Sequence, residues 1–108
     1  MTPNDYQAQA RRWLNPALSE QDTLINGVMG LCGESGEVID LVKKHLSQGH
    51  PLNREAIAKE LGDVAWYLAE MAHILGYPLE DIFRMNLEKL SARYPDGFST
   101  ECSLHRTE

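Results

Sequence analysis

The chain predicts an all-α fold, and three features carry that expectation. Apolar residues recur at spacings of three and four through long windows. Capping residues, glycines and prolines punctuate the sequence where helices should start and stop. No stretch of useful length alternates between apolar and polar residues, as a half-buried strand would. A four- to five-helix, bundle-like single domain over residues 1–98 follows, with residues 99–108 as a C-terminal tail.

Thr2 and Pro3 cap and open a first helix that should reach about Leu14, where Asn15-Pro16-Ala17 breaks it. Ser19 caps a second helix that runs to about Leu46 and stops before Gly49-His50-Pro51. Asn53 caps the third, which reaches Leu75 and ends on Gly76. Pro78 opens a fourth, through about Tyr94, and Pro95-Asp96-Gly97 ends it. The residues beyond read as a loose tail.

Projected at about 100° per residue, the third helix has Ile57, Leu61, Val64, Leu68, Met71 and Leu75 on one stripe. Glu60 falls inside that apolar arc and Asp63 at its edge. In the second helix, Leu24, Val28, Leu31, Val38, Val42 and Leu46 form the stripe. There Glu34 falls inside the arc and Glu37 one step outward. Each pair, Glu34-Ser-Gly-Glu37 and Glu60-Leu-Gly-Asp63, has i, i+3 spacing and so shares one side of its helix. Carboxylates are rarely buried unless something neutralises them. Two helices packed together would gather four such groups, which calls for a hard divalent cation such as Mg²⁺. One pair alone would read as ordinary surface acids beside a buried stripe.

The fourth helix carries the opposite sign. Asn86, Lys89 and Arg93 lie within or beside a stripe formed by Leu79, Ile82, Phe83 and Leu90. Two readings fit. The cations lay their stems on the core and keep their heads in water, or they grip a phosphate chain through the arginine fork and the lysine point charge. Gly27, Gly30, Gly33 and Gly36 recur every third residue in the second helix. They allow close approach either of a ligand or of a neighbouring helix. They are not a P-loop, because the Lys-Ser/Thr ending is missing.

Composition bounds the function. The 108 residues, 43% hydrophobic and 24% charged, suit one globular domain with little core to spare. A site between its helices would need a second copy of the chain to close it. The net charge of −6 argues against a nucleic-acid-binding surface. Two cysteines, Cys32 and Cys102, lack metal-ligand spacing and suggest a reducing compartment. The polar N-terminus is no secretory signal, and no apolar run approaches the ~20 residues needed to cross a membrane. A cytoplasmic protein is expected.

With these residues in view, the chain resembles the MazG-like branch of the all-α nucleoside triphosphate pyrophosphohydrolases. The likeness rests on Gly30-Leu-Cys-Gly-Glu34-Ser-Gly-Glu37 with its continuation to Lys43-Lys44, on Glu60-Leu-Gly-Asp63-Val-Ala-Trp-Tyr-Leu, and on Asn86-Leu-Glu-Lys89-Leu-Ser-Ala-Arg93-Tyr94-Pro-Asp-Gly-Phe98. It covers roughly residues 20–98. The resemblance implies a homodimer or homotetramer that binds Mg²⁺, with Mn²⁺ as a substitute. It implies cleavage of a nucleoside triphosphate between the α and β phosphates, giving a monophosphate and pyrophosphate, as in nucleotide-pool house-cleaning. By position, Glu34, Glu37, Glu60 and Asp63 would be metal ligands, with Glu34 or Glu37 also accepting the proton. Lys43, Lys44, Asn86, Lys89, Arg93 and Tyr94 would hold the substrate. Many members begin the first motif with two adjacent acids; here the first of those positions is Gly33.

Two rival readings remain on the sequence. A ferritin-like di-iron bundle wants two Glu-x-x-His motifs, and the chain has one, Glu70-Met-Ala-His73, on what projects as the polar side of its helix. A non-catalytic helical module that senses nucleotides or binds a partner would keep the fold but release no pyrophosphate. Trp13, Asn26 and Trp66 are candidates to contact a base, with Trp66 also suited to packing between subunits.

Overall fold

The computed structural model of the chain describes residues 1–106. Five α-helices follow in order: α1 Pro3–Ala10, α2 Glu20–Gln48, α3 Arg54–Ile74, α4 Leu79–Arg93 and α5 Thr100–Leu104, with a 3-10 turn Arg11–Trp13 after α1. The caps sit where the sequence places them. Thr2 and Asp5 close a reciprocal capping box, each accepting a backbone N–H at 3.0 Å. The Ser19 hydroxyl accepts from Asp22 N at 3.1 Å, and Asn53 Oδ1 from Ala56 N at 3.0 Å. Gly49 (φ 74°) and Gly76 (φ 82°) take the left-handed conformation that ends α2 and α3.

Helices α2 and α3 form a long antiparallel hairpin. Gly27 faces Met71 and Gly30 faces Tyr67 so closely that a Cβ at either position would collide with the opposing side chain. The glycines of this stretch therefore serve helix–helix packing. Gly33 and Gly36, by contrast, look onto open space.

The short α1 lies across α3 and the start of α4, and long-range hydrogen bonds hold it there. Pro78 precedes α4 and offers no side-chain cap. Its role passes to α1. Gln7 Oε1 accepts from Leu79 N at 2.9 Å, and Asn4 Oδ1 accepts from Glu80 N at 2.9 Å. Gln7 also donates to Tyr77 O at 3.0 Å, and Trp66 donates its indole N–H to Ala10 O at 3.1 Å. Ala69, Ala72 and Leu79 are the buried centre, with Tyr6, Leu68 and Ile82 packed around them.

Three expectations change. The first helix stops at Ala10 and tightens into the 3-10 turn rather than running to Leu14. The segment read as a tail carries α5, which Ser99 caps by accepting from Cys102 N at 3.0 Å; residues 107–108 of that segment lie outside the described residues. The apolar stripes are only half covered. Leu46 is 74% exposed, Leu61 53% and Leu75 56%, because the hairpin outreaches the two short elements that could cover it. Among the described residues, no helix is long and apolar enough to cross a membrane.

Candidate metal and phosphate site

The close approach of α2 and α3 sets the geometry of the acids. Glu34 on α2 meets Glu60 and Asp63 on α3, and one oxygen from each lies within 4.8 Å of the others. Glu34 and Glu60 are half-buried and Asp63 is exposed, as their places in the apolar arcs predict. Glu37 is exposed one turn further along α2 and lies outside this group.

Crowding these acids has an electrostatic consequence. The Glu60 carboxyl is held above its ordinary range, first by a hydrogen bond with Glu34, then by burial, then by the charges of Glu34 and Asp63. Every one of these influences favours the protonated form, and none comes from a cation. The three groups thus fit a hard divalent ion: they offer oxygen donors only, two of them half-buried, and no ion pair among the described residues neutralises them. Tyr6 on α1 stands beside them, its phenol pushed up by burial and then by the charge of Asp63. No local sequence signal marks Tyr6, since α1 reaches this spot through long-range contacts to α3 and α4.

The basic candidates are placed elsewhere on the hairpin and on α4. Lys44 Nζ pairs with Asp40 at 2.8 Å, and Lys43 Nζ lies 3.9 Å from the same carboxylate. That hydrogen bond raises the Lys44 ammonium and lowers the Asp40 carboxyl. Asn86 is exposed on α4. Lys89 and Arg93 line a cleft between α4 and α5. The Tyr94 ring packs against Phe98 at 5.4 Å between centroids, with the Arg93 guanidinium 5.9 Å from the Tyr94 ring.

Of the possible base contacts, Trp13 is 67% exposed. Trp66 is half-buried and spends its indole N–H on α1 of the same chain, rather than on another subunit. Asn26 is exposed on α2 and hydrogen-bonds Glu70. Glu70 corrects the helical projection. It is buried, at 5% exposure, because α1 covers the flank of α3 that projects as polar. Burial raises its carboxyl, the Asn26 hydrogen bond opposes that rise, and its Oε2 has no hydrogen-bond partner.

The family described as the MazG nucleotide pyrophosphohydrolase domain matches residues 22–98, which contain all of the acids and bases above. The Gene 37 protein of Mycobacterium phage L5 is 41% identical over 73 residues, an alignment that spans 64% of this chain and 64% of the phage protein. No solved structure matches significantly.

Proposed function

This chain belongs to the MazG nucleotide pyrophosphohydrolase family, and from that premise we propose that it hydrolyses nucleoside triphosphates between the α and β phosphates, with Mg²⁺, to a nucleoside monophosphate and pyrophosphate. The observation that best supports this reading is the convergence of Glu34, Glu60 and Asp63 within 4.8 Å. Mg²⁺ held there would screen the charge of the triphosphate and make a water easier to deprotonate, and Mn²⁺ suits the same oxygen donors. Glu37, one turn from Glu34, is the fourth ligand in this reading.

The chain's own residues would do the rest. Glu34 or Glu37 accepts the proton of the attacking water. Asn86, Lys89 and Arg93 fix the phosphate oxygens and stabilise charge as it builds on the leaving group. Lys44 would exchange Asp40 for a phosphate oxygen, with Lys43 beside it, and Tyr94 would contact the substrate from the end of α4. The outer part of α4 is exposed from Phe83 to Ala92, and its apolar residues include Phe83, Leu87 and Leu90. A homodimer or homotetramer would cover that face and bring the bases of α4 toward a carboxylate cluster.

A panel of nucleoside triphosphates with Mg²⁺, scored for pyrophosphate against orthophosphate, tests the reaction. Pyrophosphate is the expected product. Glu60→Gln should lower kcat on the order of a hundredfold or more while circular dichroism keeps the helical signal. Orthophosphate as the sole product, or full activity in Glu60→Gln, would overturn this assignment.

A further inference from the structure

The cleft between α4 and α5 holds about 600 Å³ and is lined by Lys89, Arg93, Glu101, Cys102, His105 and Arg106. Among the described residues lining it, the permanent charges are three cations and one carboxylate, a net of +2 with His105 neutral. That sign is opposite to the −6 of the chain as a whole. Lys89 and Arg93 sit one turn apart on α4 and therefore face the same way. His105 and Arg106 follow α5 directly and reach the cleft from the other side. Ser99 fixes where α5 starts, through its bond to Cys102 N, and so fixes where these two residues emerge.

We infer that His105 and Arg106 are substrate-binding residues which, with Lys89 and Arg93, hold the diphosphate end of the nucleotide and of the pyrophosphate that leaves. This inference rests on the proposed reading of α4 as a phosphate grip and adds the C-terminal segment to it. The chemistry selects the ligand class. Two guanidinium groups present planar forks of N–H donors, and an ammonium and an imidazole flank them. Such a set matches a small polyanion with several terminal oxygens better than a single carboxylate. Basic residues at the C-terminal end of a helix also complement its dipole. In a helix of five residues that effect is small, and it does not account for both side chains lining the same cleft as Lys89 and Arg93. Glu101, the carboxylate among the described residues of the cleft, opposes an anion.

The test uses inorganic pyrophosphate as the probe, in EDTA, so that the acids on α2 and α3 do not report. Binding to the full chain is measured by titration calorimetry for the wild type, for His105→Gln/Arg106→Gln and for Glu101→Gln. The double variant should bind about tenfold more weakly or worse, the loss expected for one charge-assisted contact. Glu101→Gln should bind more tightly, a gain that a purely structural role would not produce. Both variants are checked for helical content by circular dichroism. Equal affinity in the wild type and the double variant overturns the inference, as does weaker binding in Glu101→Gln or no binding by the wild type. Nucleotide hydrolysis is scored separately. Wild-type hydrolysis with unchanged pyrophosphate affinity in the double variant removes this cleft and leaves the reaction standing. Lost pyrophosphate affinity in a protein that hydrolyses no nucleotide keeps the cleft and removes the reaction.

Discussion

Glu70 enters the interior as a carboxyl group with one hydrogen-bonding neighbour, Asn26, and one oxygen with none. Burial raises its folded-state pKa above the unfolded value of about 4.3. The folded state therefore binds the proton more tightly than the unfolded chain does. The stabilisation is full below that unfolded value and is lost as pH climbs through the raised folded one. Glu70→Gln removes the charge and keeps a group able to bond Asn26. It should raise the melting temperature at pH 8, by about 1 kcal/mol or more of stability, and leave it nearly unchanged at pH 4. Calorimetry at both pH values would refute this if the variant lost stability at pH 8. At this scale the sequence was half legible. Glu34 and Glu60 stand out because an acid within an apolar arc is an exception, repeated on two helices, and Asp63 follows Glu60 by i, i+3 spacing. Glu70 did not, because what buries it is α1, which a projection of α3 cannot include.

Among the helices, the starts and stops were the easiest to read. Thr2, Ser19, Asn53, Gly49 and Gly76 act within a few residues of themselves, so their chemistry is written locally. The start of α4 is different. Leu79 N and Glu80 N find their acceptors on Gln7 and Asn4, 72 and 76 positions away. No local pattern encodes that pairing. It makes a sharp prediction, because Gln7 is buried and meets three backbone groups, of Leu79, Tyr77 and Ala69. Gln7→Ala should cost roughly 1–3 kcal/mol, since it strands buried polar groups. Amide hydrogen exchange should speed up at Leu79 and Glu80 before it does in the hairpin. Uniform exchange across the chain in that variant would mean that α1 does not anchor α4. The helix α5 was missed for a related reason: Ser99 is a good cap, but five residues give too little periodicity to register.

Taken as a whole, the chain is more extended than its length warrants. Its radius of gyration is 16.9 Å, against about 13 Å for a compact domain near 100 residues. Leu46, Leu61, Leu87 and Phe83 are left facing outward. At about 25 cal/mol per Å², covering them favours association. The expected mass in solution is therefore at least twice 12.2 kDa, and the melting temperature should rise with protein concentration. Leu87→Glu should shift the particle toward the single chain and lower that temperature. Light scattering that finds a stable monomer at high concentration would rule this out. The short length leads one to expect a second copy, but it does not say which faces stay open, since that depends on how little α1 and α5 can cover. One small feature of the hairpin has a long reach. Gly30 leaves no side chain where the ring of Tyr67 sits, and the ring fills that notch like a spacer of fixed thickness. With Gly27 against Met71, the absence of a methyl group at Gly30 lets the two rods that carry Glu34 and Glu60 come this close. A side chain there would push either the Tyr67 ring aside or the jaws apart, and in the second case the proposed seat would favour an ion of greater radius.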